Sequence, residues 1–179
     1  QVGRATVSPP PGAFVQAVAG AEEAMARLTL DHLEPAKRVV DLFCGVGTFT
    51  LRLAANAPAH GVESEAAALA ALDLASRAAP GLKPVTSERR DLFRRPVTSK
   101  ELDRFDGLVF DPPRAGAEAQ AHQIASSKVA RVAAVSCNPT TLARDAAILV
   151  AGGYRLLSVT PIDQFLWSSH VELVGVFRR

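Results

Sequence analysis

At 179 residues and 48% apolar content, the chain is long and apolar enough to fold as one domain around its own core. Two cysteines exclude a disulfide framework and fit a reducing, cytoplasmic compartment, and neither a signal peptide nor a stretch able to span a bilayer is visible. A net charge of +2 permits a nucleic-acid partner without requiring one, and Arg89, Arg90, Arg94 and Arg95 form the only dense basic cluster.

Residues 1–12 carry three prolines and Gly12 and are expected to be an extended or disordered tail. Starting at Gln1 and running into that segment, the chain reads as a piece of a longer protein, with the folded domain over 13–179. Val18, Met25 and Leu28 recur at helical spacing, which predicts a helix over 17–33. The apolar run 39–43 predicts a buried strand, followed by a glycine turn and a helix over 48–55. Strands are expected at 60–63, 83–86, 105–110 and 131–136, and helices at 65–78, 118–126 and 140–150. The final stretches, 154–160 and 170–177, read as two strands with no helical pattern between them. Strand and helix alternate, so the fold class is α/β: a seven-stranded, doubly wound, mostly parallel sheet with an antiparallel C-terminal hairpin. That is a Rossmann-like architecture, shared with the common class of S-adenosylmethionine methyltransferases.

Open sheets of this kind bind ligands beyond the carboxyl ends of their strands, so the residues just after each strand matter most. After the first stands Asp41-Leu42-Phe43-Cys44-Gly45-Val46-Gly47. Glycine permits close approach of the backbone to a ligand, and Thr50 stands where the dinucleotide fingerprint has its third glycine, which argues against a nicotinamide cofactor. Glu63, after the second strand, is placed to accept from ribose hydroxyls. Glu65 reads as a helix-start charge. Asp91 is a candidate acceptor from an adenine amino group, with pairing to Arg89, Arg90 or Arg94 as the plainer reading. Asp111-Pro112-Pro113-Arg114 follows the fourth strand as a stiff corner bearing a carboxylate. Arg114 stands where amino-group methyltransferases place an aromatic residue.

Ser136-Cys137-Asn138-Pro139 follows the fifth strand. A cysteine on a turn near a helix start is expected to have a lowered pKa and to act as a nucleophile, whereas Cys44 is expected to pack. Glu172 lies in an apolar run, where burial would suit it to proton transfer, and His170 shares its strand face by alternation. A thiolate, a carboxylate base and a methyl donor are the parts needed to methylate carbon 5 of uracil. Addition at carbon 6 makes carbon 5 nucleophilic, and a base must then remove its proton.

These segments resemble the RNA uracil-C5 methyltransferases that act on ribosomal or transfer RNA. The resemblance runs from Phe14 to Phe177 and rests on Phe14-Val15-Gln16, the 41–51 turn, the 111–116 corner, Ser136 to Pro139 with Leu142-Ala143-Arg144-Asp145, and His170-Val171-Glu172. It implies S-adenosyl-L-methionine as cofactor and RNA as partner, ribosomal ahead of transfer RNA. It implies cofactor contacts at Gln16, Phe43, Thr48, Glu63, Asp91 and Asp111, with Cys137 as nucleophile and Glu172 as base; the turn adds Gly45 and Gly47 toward the cofactor, and Arg114 and His170 are candidates toward the substrate. The chain departs from the family pattern at Val18 and Thr48, where asparagine is usual, and at 165–168. Family members usually add an N-terminal RNA-binding barrel and sometimes an iron–sulfur cluster; neither the barrel nor the cluster's cysteines lie in this sequence, so no metal is expected. The alternatives are a cytosine-C5 methyltransferase, although no cysteine follows the fourth strand, and a non-catalytic RNA-binding module that keeps the fold.

Overall fold

A computed structural model of the chain describes residues 1–12, 18–163 and 171–179. Helix α1 (Ala19–Leu33) buries Met25, Ala26, Thr29 and Leu33. Strand β1 (Val39–Leu42) is buried at all four positions, as a parallel strand covered on both faces must be. A short helix α2 (Thr50–Leu53) leads to β2 (Ala59–Glu63), α3 (Ala66–Ala78) and β3 (Val85–Arg89). Then follow α4 (Ser99–Leu102), β4 (Gly107–Phe110), α5 (Glu118–Ala125), β5 (Arg131–Ser136), α6 (Pro139–Ala151), β6 (Arg155–Ile162) and β7 (Glu172–Arg178).

Among the described residues seven strands form one sheet in the order β3-β2-β1-β4-β5-β7-β6. Strands β1 to β5 run parallel to one another, and β7 lies antiparallel between β5 and β6. The expected class and the antiparallel C-terminal pair are both present. Alternation along the strands divides the core: Val40, Leu42, Leu108, Phe110, Val132 and Ala134 pack on one face, and Val39, Val109, Ala133 and Val135 on the other with Met25 and Leu33 of α1.

Two details differ from the sequence reading. Helix α4 is additional; it is started by a capping box in which the Thr98 hydroxyl accepts from Glu101 N–H while the Glu101 carboxylate accepts from Thr98 N–H. Within 1–12, a turn closed by a Val2–Ala5 bridge buries both residues against Leu51, Leu69 and Leu72. Two buried apolar side chains suffice to seat a segment that its prolines alone would leave extended.

Candidate active site

Strand order reverses between β1 and β4, and the crevice above that point is where such sheets take ligands. A cleft of about 620 Å³ opens there. Its walls come from the loops after β1, β2, β3, β4 and β5 and from the first residue of β7. Phe43, Gly45, Thr48, Glu63, Asp91, Asp111, Arg114, Cys137 and Glu172, singled out from the sequence, all line it. Gly47 is not among the lining residues: at φ +95° its hydrogen faces Leu72, and a Cβ there would stand 2.5 Å from Leu72 Cδ1. Its lack of a side chain serves helix-to-turn packing. Gln16 and His170 lie outside the described residues. Pro10, Pro11, Gly12 and Phe93 also line the cleft and escaped the sequence reading; prolines signal backbone shape, and nothing local tells which wall they join.

The first turn is held from both sides. Asp41 Oδ2 accepts from Thr50 N–H at 2.8 Å and from the Thr50 hydroxyl at 2.6 Å, which ties the end of β1 to the start of α2. Asp41 is only 1% exposed, and burial raises its carboxyl to about 7 against the opposing Thr50 hydrogen bonds. Between these anchors Phe43 takes φ +62°, the only non-glycine residue with positive φ among those described, and its ring meets Phe93 at 5.5 Å. Gly45 has φ +53°, and a Cβ added there would meet nothing within 4 Å, so its backbone is bare to the cleft. Glu63 Oε2 accepts from Gly45 N–H at 3.0 Å, while Oε1 accepts from Ser64 and Glu65 N–H groups. Asp91 Oδ1 accepts from the N–H groups of Phe93 and Arg94, and its Oδ2 lies 3.5 Å from Arg94 Nε. Arg90 is committed elsewhere, to Glu88 and Glu101, and Arg89 donates to Ser64 O. Of the plainer pairings considered for Asp91, only that with Arg94 forms.

The opposite wall carries Cys137, Glu172 and Asp111. β5 and β7 pair antiparallel, with Ser136 opposite Leu173, so the next step of the register brings Cys137 to the side of Glu172. Glu172 is 7% exposed. Asp111 is half-buried on the cleft wall, and burial, then the charges of Glu172 and Asp41, raise its carboxyl to about 8. The expected lowering of the Cys137 pKa does not occur. Burial pushes the thiol up, Glu172 and Asp111 add to that, and Arg114 opposes it. The helix start that was to lower it is already engaged, because Asn138 Oδ1 accepts from Thr140 N–H and Pro139 has no N–H to give. Cys44, by contrast, is buried against the β1 turn with its thiol raised further by burial, as a packing residue should be.

The model of the tRNA (uracil-5-)-methyltransferase family matches residues 6–179. The chain belongs to that family. An uncharacterised RNA methyltransferase of Mesorhizobium japonicum is 66% identical over 97% of the chain and 42% of its own length. The 23S rRNA (uracil(1939)-C(5))-methyltransferase RlmD of Chromohalobacter salexigens is 42% identical over 94% of the chain and 35% of its own length. The crystal structure of Pyrococcus abyssi tRNA (uracil-54, C5)-methyltransferase, in complex with S-adenosyl-L-homocysteine, superposes with a TM-score of 0.79 at 27% identity, covering 93% of this chain and 40% of that one. The chain thus spans less than half the length of these relatives. Family members are RNA methyltransferases, and S-adenosyl-L-methionine is their methyl donor.

Proposed function

We propose that this chain is the catalytic portion of a cytoplasmic enzyme that methylates carbon 5 of a uridine in RNA, ribosomal ahead of transfer RNA, through a covalent adduct on Cys137. The observation that carries the reading is the β5–β7 register, which sets a cysteine and a buried carboxylate side by side on the wall of a carboxylate-lined cleft. Kinship with a 23S rRNA uracil-C5 methyltransferase supports the ribosomal choice.

The lining fits the cofactor. Gly45 offers a backbone cradle that any side chain would fill. Glu63 Oε2, engaged by one N–H, keeps capacity for ribose hydroxyls; Asp91 would take the adenine amino group; Asp111, raised to about 8, would give up its proton beside a cationic group and pair with it. Phe43 and Thr48 line the same cradle, and Gln16 is assigned to it from the sequence. Bound there, S-adenosyl-L-methionine supplies an electrophilic methyl group for carbon 5.

Carbon 5 of uracil is a poor nucleophile, and Cys137 overcomes this. Its thiolate adds to carbon 6, and the electron pair of the 5,6 double bond shifts to give an enolate reactive at carbon 5. Once carbon 5 is methylated, the Glu172 carboxylate removes its proton. That pair re-forms the double bond, the carbon–sulfur bond breaks, and the thiolate leaves. Arg114 is the positive charge that favours the thiolate in a wall otherwise raising the thiol's pKa, and with His170 it is assigned to the substrate.

With RNA carrying 5-fluorouridine, carbon 5 has no proton to lose, so an adduct joined through Cys137 should accumulate and be visible by mass spectrometry. Cys137→Ala should abolish it. Glu172→Gln should still form it, yet slow turnover of ordinary RNA by roughly 10²–10⁴-fold. Full turnover by Cys137→Ala would overturn the mechanism. Loss of the adduct in Glu172→Gln, with RNA and cofactor still bound, would reassign Glu172 to positioning.

A further inference from the structure

The Leu142-Ala143-Arg144-Asp145 segment has no part in the chemistry above, yet it holds an ion pair whose carboxylate is buried. Asp145 is 2% exposed. Its Oδ1 accepts from Arg144 Nε at 2.9 Å and Nη2 at 2.8 Å, and its Oδ2 accepts from Ala117 N–H at 2.7 Å. Arg144 Nη2 also donates to Ala115 O at 3.1 Å. One turn earlier, Asn138 Nδ2 donates to Arg114 O at 3.0 Å and the Thr141 hydroxyl donates to the same oxygen at 3.3 Å. Gly116, at φ +74°, lets the loop lie against α6; a Cβ there would stand 2.5 Å from Arg144 Nη2 and 2.8 Å from Thr141 Cβ. The bonds to Arg114 O, Ala115 O and Ala117 N–H join α6 and its cap to the loop between β4 and α5, while the Arg144–Asp145 pair lies within α6 and orients both side chains toward that loop. The Cys137 turn is fixed as well, because the Ser136 hydroxyl accepts from Asn138 N–H and donates to Asn138 O, spanning Cys137.

We propose that Asn138 and Asp145 are positioning residues that clasp the Arg114 loop to α6, and so set the distance between the Arg114 charge and the Cys137 sulfur. The inference rests on the reading of Cys137 as the nucleophile and adds what governs its reactivity. Among the described residues the charges acting on the thiol are Glu172 and Asp111, which disfavour thiolate, and Arg114, which favours it. Two of the three are fixed by the sheet, Glu172 as the first residue of β7 and Asp111 directly after β4. Arg114 stands three residues farther along a loop, and its backbone oxygen is held by α6 side chains. A loosened clasp would therefore change the Arg114 contribution first.

The test is the pH profile of Cys137 alkylation by iodoacetamide, read by peptide mass spectrometry on the chain without RNA or cofactor. Asn138→Ser keeps a good helix cap but is too short to reach Arg114 O. It should move the profile upward by about one unit, as should Arg114→Ala, and the double variant should move no further than either alone. Asp145→Asn should shift it in the same direction; if that variant does not fold, Asn138→Ser carries the test. An unchanged profile in folded Asn138→Ser, or shifts that add in the double variant, would overturn the clasp. Because no RNA is present, the outcome is independent of whether a uracil adduct forms.

Discussion

Burial holds the Asp111 carboxyl at about 8 and that of Asp41 at about 7, so both retain protons in the folded chain at pH values where an unfolded chain has lost them. The folded state then binds more protons than the unfolded one, and stability falls as pH rises. For Asp111 the window runs from its ordinary value near 3.8 up to about 8. Denaturation midpoints should decline across that range. Asp111→Asn should flatten the decline most near pH 8, where Asp111 still holds a proton and most Asp41 has lost its own. A variant that follows the parent's profile to pH 8 would refute the assignment. The residue types of this site were legible in the sequence because chemistry restricts them: a carboxylate after a strand, a cysteine after another. Their ionisation was not. Whether Cys137 is helped by a helix end or hindered by Glu172 depends on β7, 35 residues away in a different part of the sheet, and no local pattern encodes that field.

At the level of elements, periodicity placed the long helices and buried strands, since each has enough turns or alternations to declare itself. Helix α4 spans four residues, too few for a period; its Thr98–Glu101 capping box was the available signal. The glycine turn illustrates the opposite difficulty. Gly45 and Gly47 look equivalent in sequence, yet one faces a cleft and the other Leu72. Gly47→Ala should therefore cost stability, about 1–3 kcal/mol in urea unfolding, through overpacking and its positive φ. An alanine variant with an unchanged midpoint would show that Leu72, though fully buried, can retreat.

For the whole molecule, Arg89, Arg94, Arg95 and Arg114 are exposed, while Arg90 is tied to Glu88 and Glu101. Contacts made through these four arginines alone predict weak RNA binding, with log affinity falling against log salt at a slope no steeper than about −4. Tight binding that persists at high salt would point to a larger contact surface than these arginines provide. The sheet as a whole has one further property. Strands β5 and β6 are separated by β7, which follows both in sequence, so they must stand roughly 10 Å apart to receive it. During synthesis the cofactor cleft and the Cys137 thiol can take shape while β7 is still unmade. Glu172 comes only with that strand. On the proposed mechanism, a chain interrupted before Glu172 would carry the nucleophile without its base, able to engage a pyrimidine but not to release it.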